Sequence, residues 1–188
     1  MRGRQRSVYG MAEEAMRRRH YHWKESSSLA VDSGNNPEHT DAMSNRSVPV
    51  STVLPHLVYR DVIEASDWLS KVFGFQEHFR YGQPVSGIQM FLGRAVIMLS
   101  GPRQGTQSPA LLGHGTQTLT VMVTDVDAHY ARTRQQGAMI WEGLHETVYG
   151  ERQYGAEDLD GHRWIFSAHA RDLSPEEWGA TVVNPLPW

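Results

Sequence analysis

With cysteine absent, the side chains that stand out for acid–base or ligand chemistry are ten histidines and a set of arginines. His56 is the histidine of most interest. It sits inside the apolar run Val53-Leu-Pro-His-Leu-Val-Tyr59, and an imidazole there can serve as general acid/base or as a ligand donor. A satisfied wall residue is the plainer reading. Arg152, in Tyr149-Gly-Glu-Arg152, and Arg163 offer guanidinium groups suited to a carboxylate or phosphate. For Arg152 the alternative is a salt bridge with Glu151, Glu157 or Asp158. Phe91, Trp141, Tyr149 and Tyr154 could supply flat walls for an aromatic ligand, or simply be core.

The other histidines point elsewhere. His20, His22 and His39 lie in a polar N-terminal stretch, and His78 and His114 near strand or loop ends. His129 is expected on a helix surface and His145 in a loop. His162, in Asp160-Gly-His162, reads as a turn residue bonding backbone. Zero cysteines exclude disulfides, thiolate catalysis and Cys-type zinc sites, and fit a cytoplasmic protein.

These residues need elements to position them, and 188 residues suffice for one ordinary domain or a smaller one with a tail. No window approaches the roughly 18 apolar residues of a membrane span. The N-terminal arginines are not followed by the apolar run of a secretory signal. The net charge of −3 gives no general reason to expect nucleic acid as a partner. Residues 1–24 hold seven Arg/Lys against Glu13 and Glu14, so this segment is basic and the remainder acidic. Met11 to Trp23 can form one short helix, and Glu25 to Ser51 has a linker composition. Residues 1–52 are therefore read as a tail, or as an arm that packs on a partner through Tyr9, Tyr21 and Trp23.

From Val53 the pattern changes. A strand-like run ends at Tyr59 and Asp61 can cap a helix. Val62, Ala65, Trp68, Leu69, Val72 and Phe73 recur at helical spacing before Gly74. Phe75–Tyr81, Gly87–Leu92 and Ala95–Leu99 read as strands. About 64 residues later the order repeats. Thr118–Val123 is a strand, Asp125 a cap, and Val126–Gln136 a helix with Tyr130 and Ala131 inward. Ala138–Trp141, Thr147–Ala156 and Arg163–Ser167 are strands. Each unit is βαβββ, and a repeat of this kind governs the reading of every motif inside it.

Val58-Tyr-Arg-Asp-Val with Trp68-Leu-Ser-Lys-Val-Phe-Gly-Phe75 resembles the first module of the glyoxalase / bleomycin-resistance / dioxygenase (vicinal oxygen chelate) superfamily. Val123-Thr-Asp-Val-Asp127 through Gln136-Gly-Ala138 resembles its second. Tyr149-Gly-Glu-Arg152 and Asp158-Leu-Asp-Gly-His162-Arg-Trp-Ile-Phe166 are similar to its final hairpin. The resemblance implies an α+β domain over residues 53–172, its two βαβββ modules forming a curved mixed sheet around a central cavity, helices outside. Module one is 53–100, a linker 101–116, module two 117–169, with a C-terminal extension at 173–188.

Given that fold, the strand period of two sorts side chains by face. Leu57, Tyr59, Ile97, Leu99, Leu119, Val121, Val123, Trp164 and Phe166 go to the helix side. His56, Val58, Val96, Met98, Thr118, Thr120, Met122, Arg163, Ile165 and Ser167 go to the cavity. An apolar lining with a few placed polar groups is what small-molecule binding needs.

Metal-dependent relatives hold a divalent ion with His or Glu from the first and fourth strands of each module. The resemblance puts those positions on Leu54, Met98, Thr118 and Ile165, which offer a hard or borderline cation almost nothing. The expectation is a metal-free small-molecule binding protein of the bleomycin-resistance type, without cofactor, holding a mostly apolar ligand. The candidate contacts are His56, Phe91, Met98, Thr118, Thr120, Trp141, Tyr149, Arg152, Tyr154, Arg163 and Ile165. The rival readings are a metal-free isomerase, lyase or cyclase using His56 as catalytic acid–base, and a metal-dependent lyase or dioxygenase with non-standard ligands. A homodimer is expected, burying sheet edges, with no nucleic-acid or membrane partner.

Overall fold

Two stretches of alternating apolar residues, each interrupted by one amphipathic helix, fold into two four-stranded mixed sheets. The computed structural model describes residues 53–185. The helix and arm expected within residues 1–52 lie outside the described residues. No described helix is long and apolar enough to cross a membrane.

Module one comprises β1 (His56–Val58), α1 (Val62–Val72), β2 (Gln76–Tyr81), β3 (Gly87–Leu92) and β4 (Ala95–Ser100). Its strands lie in the order β1-β4-β3-β2, with β1 parallel to β4 and the rest antiparallel. Module two repeats this with β5 (Thr118–Met122), α3 (Val126–Gln135), β6 (Met139–Glu146), β7 (Glu151–Glu157) and β8 (Arg163–His169), in the order β5-β8-β7-β6. Both long helices start on the expected cap. Asp61 accepts from the Ile63 and Glu64 amides, and Asp125 from that of Ala128.

The linker is more ordered than its composition implies. It holds a short helix, α2 (Pro109–Leu112), with proline in its first turn and Gly113 closing it in a left-handed conformation. The Ala110 amide donates to the Asp160 carbonyl at 2.9 Å, seating α2 on the turn before β8. After β8, Pro175–Trp178 form one 3₁₀ turn, and Trp178 packs edge-on against Tyr149 at 6.0 Å.

Strand ends shift by a few residues. β6 runs on to Glu146, and Thr147–Gly150 make a turn where a continuous strand was expected. The Gly150 φ of 89° closes that turn, a conformation that suits glycine.

The faces sort as the alternation predicts. Leu57, Tyr59, Leu99, Trp164 and Phe166 are fully buried on the helix side. That layer is one core shared by both modules, where Phe73 meets Trp164 and Phe166 at ring distances of 5.8 and 4.8 Å. α3 is the exception, because Thr133, not Ala131, is its buried inward residue besides Val126. A weakly amphipathic helix gives periodicity little to grip.

Candidate functional site

The sheet faces turned away from the helices carry the candidate site. In module one, β1 and β4 set His56 directly beside Met98, and β3 sets Gln89 on the other side of Met98. His78 Nδ1 lies 2.7 Å from Gln89 Oε1, and the Gln89 amide donates to Met98 Sδ at 3.4 Å. Phe91 stands opposite Val96. Tyr81 lays its ring over Gly87, where a Cβ would collide with it.

Module two repeats the device with a larger ring. Trp141, on β6, lies over Gly155 of β7, again where a Cβ would overlap the indole. Its Nε1 donates to the Ala156 carbonyl at 3.0 Å. The Arg163 guanidinium sits 5.5 Å from the ring centroid while its Nε bonds Glu157 at 2.9 Å. Trp141 is thus a flat shelf fixed by a glycine below, a hydrogen bond at its edge and a cation on its face. Ile165 is the ladder partner of both Gly155 and Thr120, so it adjoins the shelf. Thr118, Thr120 and Met122 alternate along β5 and are exposed. The Tyr149 hydroxyl donates to Gln153 Oε1 at 2.9 Å on the same face.

Two expected contacts do not belong here. Tyr154 is fully buried on the helix side, one residue out of phase with Gln153 and Gly155. Arg152 shares that side: Nε and Nη2 bond the Asp127 carboxylate on α3 at 2.9 and 2.7 Å. Arg152 lies at the start of β7, so the alternation of that strand sets the arginine's direction. The partner also differs from the three nearby acids considered in the sequence.

His129 is a further correction. It is partly buried, not a surface residue. Its Nε2 donates to the Phe73 carbonyl at 2.8 Å, which leaves Nδ1 to accept from the Tyr154 hydroxyl at 2.6 Å. Thr133 Oγ1 lies 2.8 Å from that hydroxyl and completes the chain. Burial drives the imidazole down to about 4, so it is neutral near pH 7. Thr133, at i+4, shares that helix face, but the pair does not announce the distant partners Phe73 and Tyr154.

The Asp158-Leu-Asp-Gly-His162 turn is a second structural tie. Asp158 Oδ2 accepts from the Tyr59 hydroxyl and Trp164 Nε1, and Oδ1 from the Asp160 and His162 amides. Burial pushes this carboxyl above its usual range, against four donors that favour the charged form. Asp160 takes both the backbone amide and the Nε of Arg60 at 2.6 Å. His162 Nε2 donates to the Val58 carbonyl at 2.9 Å, a backbone-bonding role as its turn position suggests.

Glyoxalase-family metal positions can be tested on this geometry. Leu54 precedes β1, and the ladder sets His56 beside Met98 and Thr120 beside Ile165, with Thr118 beside Arg163. Among the described residues, no three His, Asp or Glu side chains converge as a metal-holding group. One imidazole, a thioether, a hydroxyl and a hydrocarbon do not fit the divalent ion of the metal-dependent relatives.

The family model for the glyoxalase/bleomycin resistance protein/dioxygenase superfamily matches residues 50–166. The chain belongs to that superfamily. It is 32% identical to TioX from Micromonospora sp. ML1, whose structure superposes with a TM-score of 0.54, covering 63% of this chain and 98% of TioX. A glyoxalase/bleomycin resistance protein/dioxygenase from Nocardioides shares the fold at 17% identity and a TM-score of 0.51, over 71% of this chain and 91% of that one. Uncharacterised proteins of Mycobacterium bovis and Mycobacterium tuberculosis are 29% identical over 140 residues, which is 69% of this chain and 91% and 81% of theirs.

Proposed function

We propose that this superfamily member is a small-molecule binding protein of the bleomycin-resistance type, working without a metal and holding a mostly apolar ligand against the open sheet faces. One observation carries this reading. Where metal-dependent relatives need donors on the fourth strand of each module, this chain has Met98 and Ile165, side by side with His56 and Thr120. Those side chains favour hydrophobic contact over coordination. Support also comes from the fixed Trp141 shelf and from Phe91 and Tyr81 on module one. A rigid ring loses little entropy when it takes up a ligand, so affinity is gained by preorganisation.

The His56 imidazole makes no hydrogen bond to any described residue. A general base is ordinarily oriented by a second group, so the acid–base reading has less to stand on. In this proposal the protein is a cytoplasmic homodimer, its sheet edges covered by the second copy. Light scattering should then give about twice the 21.3 kDa chain mass.

Native mass spectrometry of protein purified without added metal, with an elemental scan in parallel, tests the function. The expected result is a bound organic mass, no stoichiometric transition metal, and at least tenfold weaker retention of that mass in Trp141→Ala. A stoichiometric metal, or turnover of the bound compound abolished by His56→Ala, would overturn it.

A further inference from the structure

α3 carries a cation that the fold leaves without a partner. Arg60, Arg80, Arg152 and Arg163 each meet a carboxylate. The Arg132 guanidinium makes no hydrogen bond or ion pair with any described residue, and its Nε is buried with no acceptor. Leaving a desolvated guanidinium nitrogen unmet is unfavourable unless something else supplies the acceptor.

The surroundings are shaped to hold the side chain there. Its guanidinium packs against Gly74, just past the end of α1, where a Cβ would overlap Cζ and both Nη atoms. Gly74 has a φ of 81°, so glycine both ends the helix and makes room for the arginine. The group borders a cleft of about 380 Å³ at the seam of the modules, within the usual size range of ligand pockets. Leu92 and Met122 give it apolar walls, and Thr124, Asp125 and His129 complete the polar part.

Among these, Arg132 is the group with unmet demand. Both ring nitrogens of His129 are engaged, by Phe73 and Tyr154. Asp125 faces the same cleft, but Oδ1 is committed to the Ala128 amide at the start of α3. Its negative charge would repel a dianion such as phosphate, whereas a monoanion can pair with Arg132 and keep its apolar part on Leu92 and Met122.

We propose that the cleft lined by Gly74 and Arg132 is a binding site for a small apolar monocarboxylate, meeting the open sheet faces only at Met122. Two planar Nη donors suit a carboxylate in bidentate fashion. An apolar acid pairs with those Nη donors and packs on the Leu92–Met122 wall at the same time.

The test uses full-length protein, hexanoate and hexan-1-ol at pH 7.5, with amide and indole NMR shifts and calorimetry. Hexanoate is expected to shift the Gly74 and Gly93 amides and to bind at least tenfold tighter than hexan-1-ol. Arg132→Gln should remove that preference. Saturation with hexanoate should also raise the midpoint of the His129 ring titration, because Arg132 is a like charge beside it. Equal binding of acid and alcohol, or shifts confined to the Trp141 indole, would overturn the site. The comparison of the two probes stands on the wild-type protein, so it holds even if the variant folds poorly. Failure of this cleft is read at Gly74, and failure of the open-face reading at Trp141, so the two are separable.

Discussion

The Tyr59 hydroxyl donates to Asp158 Oδ2 across 2.7 Å, joining the end of β1 in module one to the turn before β8 in module two. The two residues are 99 apart in sequence and both buried. Tyr59→Phe keeps the ring, which tilts on His162 at 4.7 Å, and deletes one of the four donors to a buried carboxylate. Denaturant unfolding should register a loss of about 1–3 kcal/mol. Asp158→Ala should cost more, since it strands the Trp164 indole N–H and two backbone amides together. Equal stability of Tyr59→Phe and wild type would mean that the bond contributes nothing.

The His129 strut makes stability depend on pH in a definite direction. Its folded value of about 4 lies below the unfolded imidazole value of 6.5. Between these pH values the unfolded chain binds more protons than the native one, so stability rises with pH. The contribution is complete above about pH 6.5 and is lost as pH falls toward 4. Its size is on the order of 2 kcal/mol once solvent screening is allowed for. Urea midpoints from pH 7 to 4.5 should fall more steeply for wild type than for His129→Gln. Parallel slopes would rule out His129 as the source.

The repeat, both helix caps and the helix-side core were legible because each is written in local periodicity. Asp61 and Asp125 precede amphipathic turns, and Leu57, Tyr59, Leu99, Trp164 and Phe166 fall at every second position of their strands. The site was legible as a face and less so as a set of contacts. Tyr154 and Arg152 went astray because the strand start at Glu151 was hidden by the Thr147–Gly150 turn, and one residue of phase inverts a side chain. The role of His129 was invisible for another reason. Its partners Phe73 and Tyr154 are 56 and 25 residues away, and nothing in one helix announces them.

Gly155 is required by the indole above it, not by its backbone angles, since a Cβ there would overlap the Trp141 ring. Gly155→Ala must lift the shelf or push β7, at a cost of about 1–3 kcal/mol. The expected readouts are a shifted tryptophan emission and weakened ligand retention. The double variant Gly155→Ala with Trp141→Ala should recover part of the stability, because the clash is gone. No recovery would assign the cost to the strand itself.

Arg152 and Arg163 lie on successive strands but opposite faces, and ligand affinity should separate them. Arg152 spends its guanidinium on Asp127 at the start of α3, away from the open face. Arg163 supports the face of Trp141 and is anchored by Glu157. Arg152→Ala should leave the affinity for the co-purified ligand unchanged. Arg163→Ala should weaken it about two- to fivefold, the scale of a partly solvated cation–aromatic contact. Titration of each variant, stripped of ligand and reloaded, makes the comparison. If Arg152→Ala were the weaker binder, the ligand would lie on the helix side of β7, and the open sheet faces would no longer be the site.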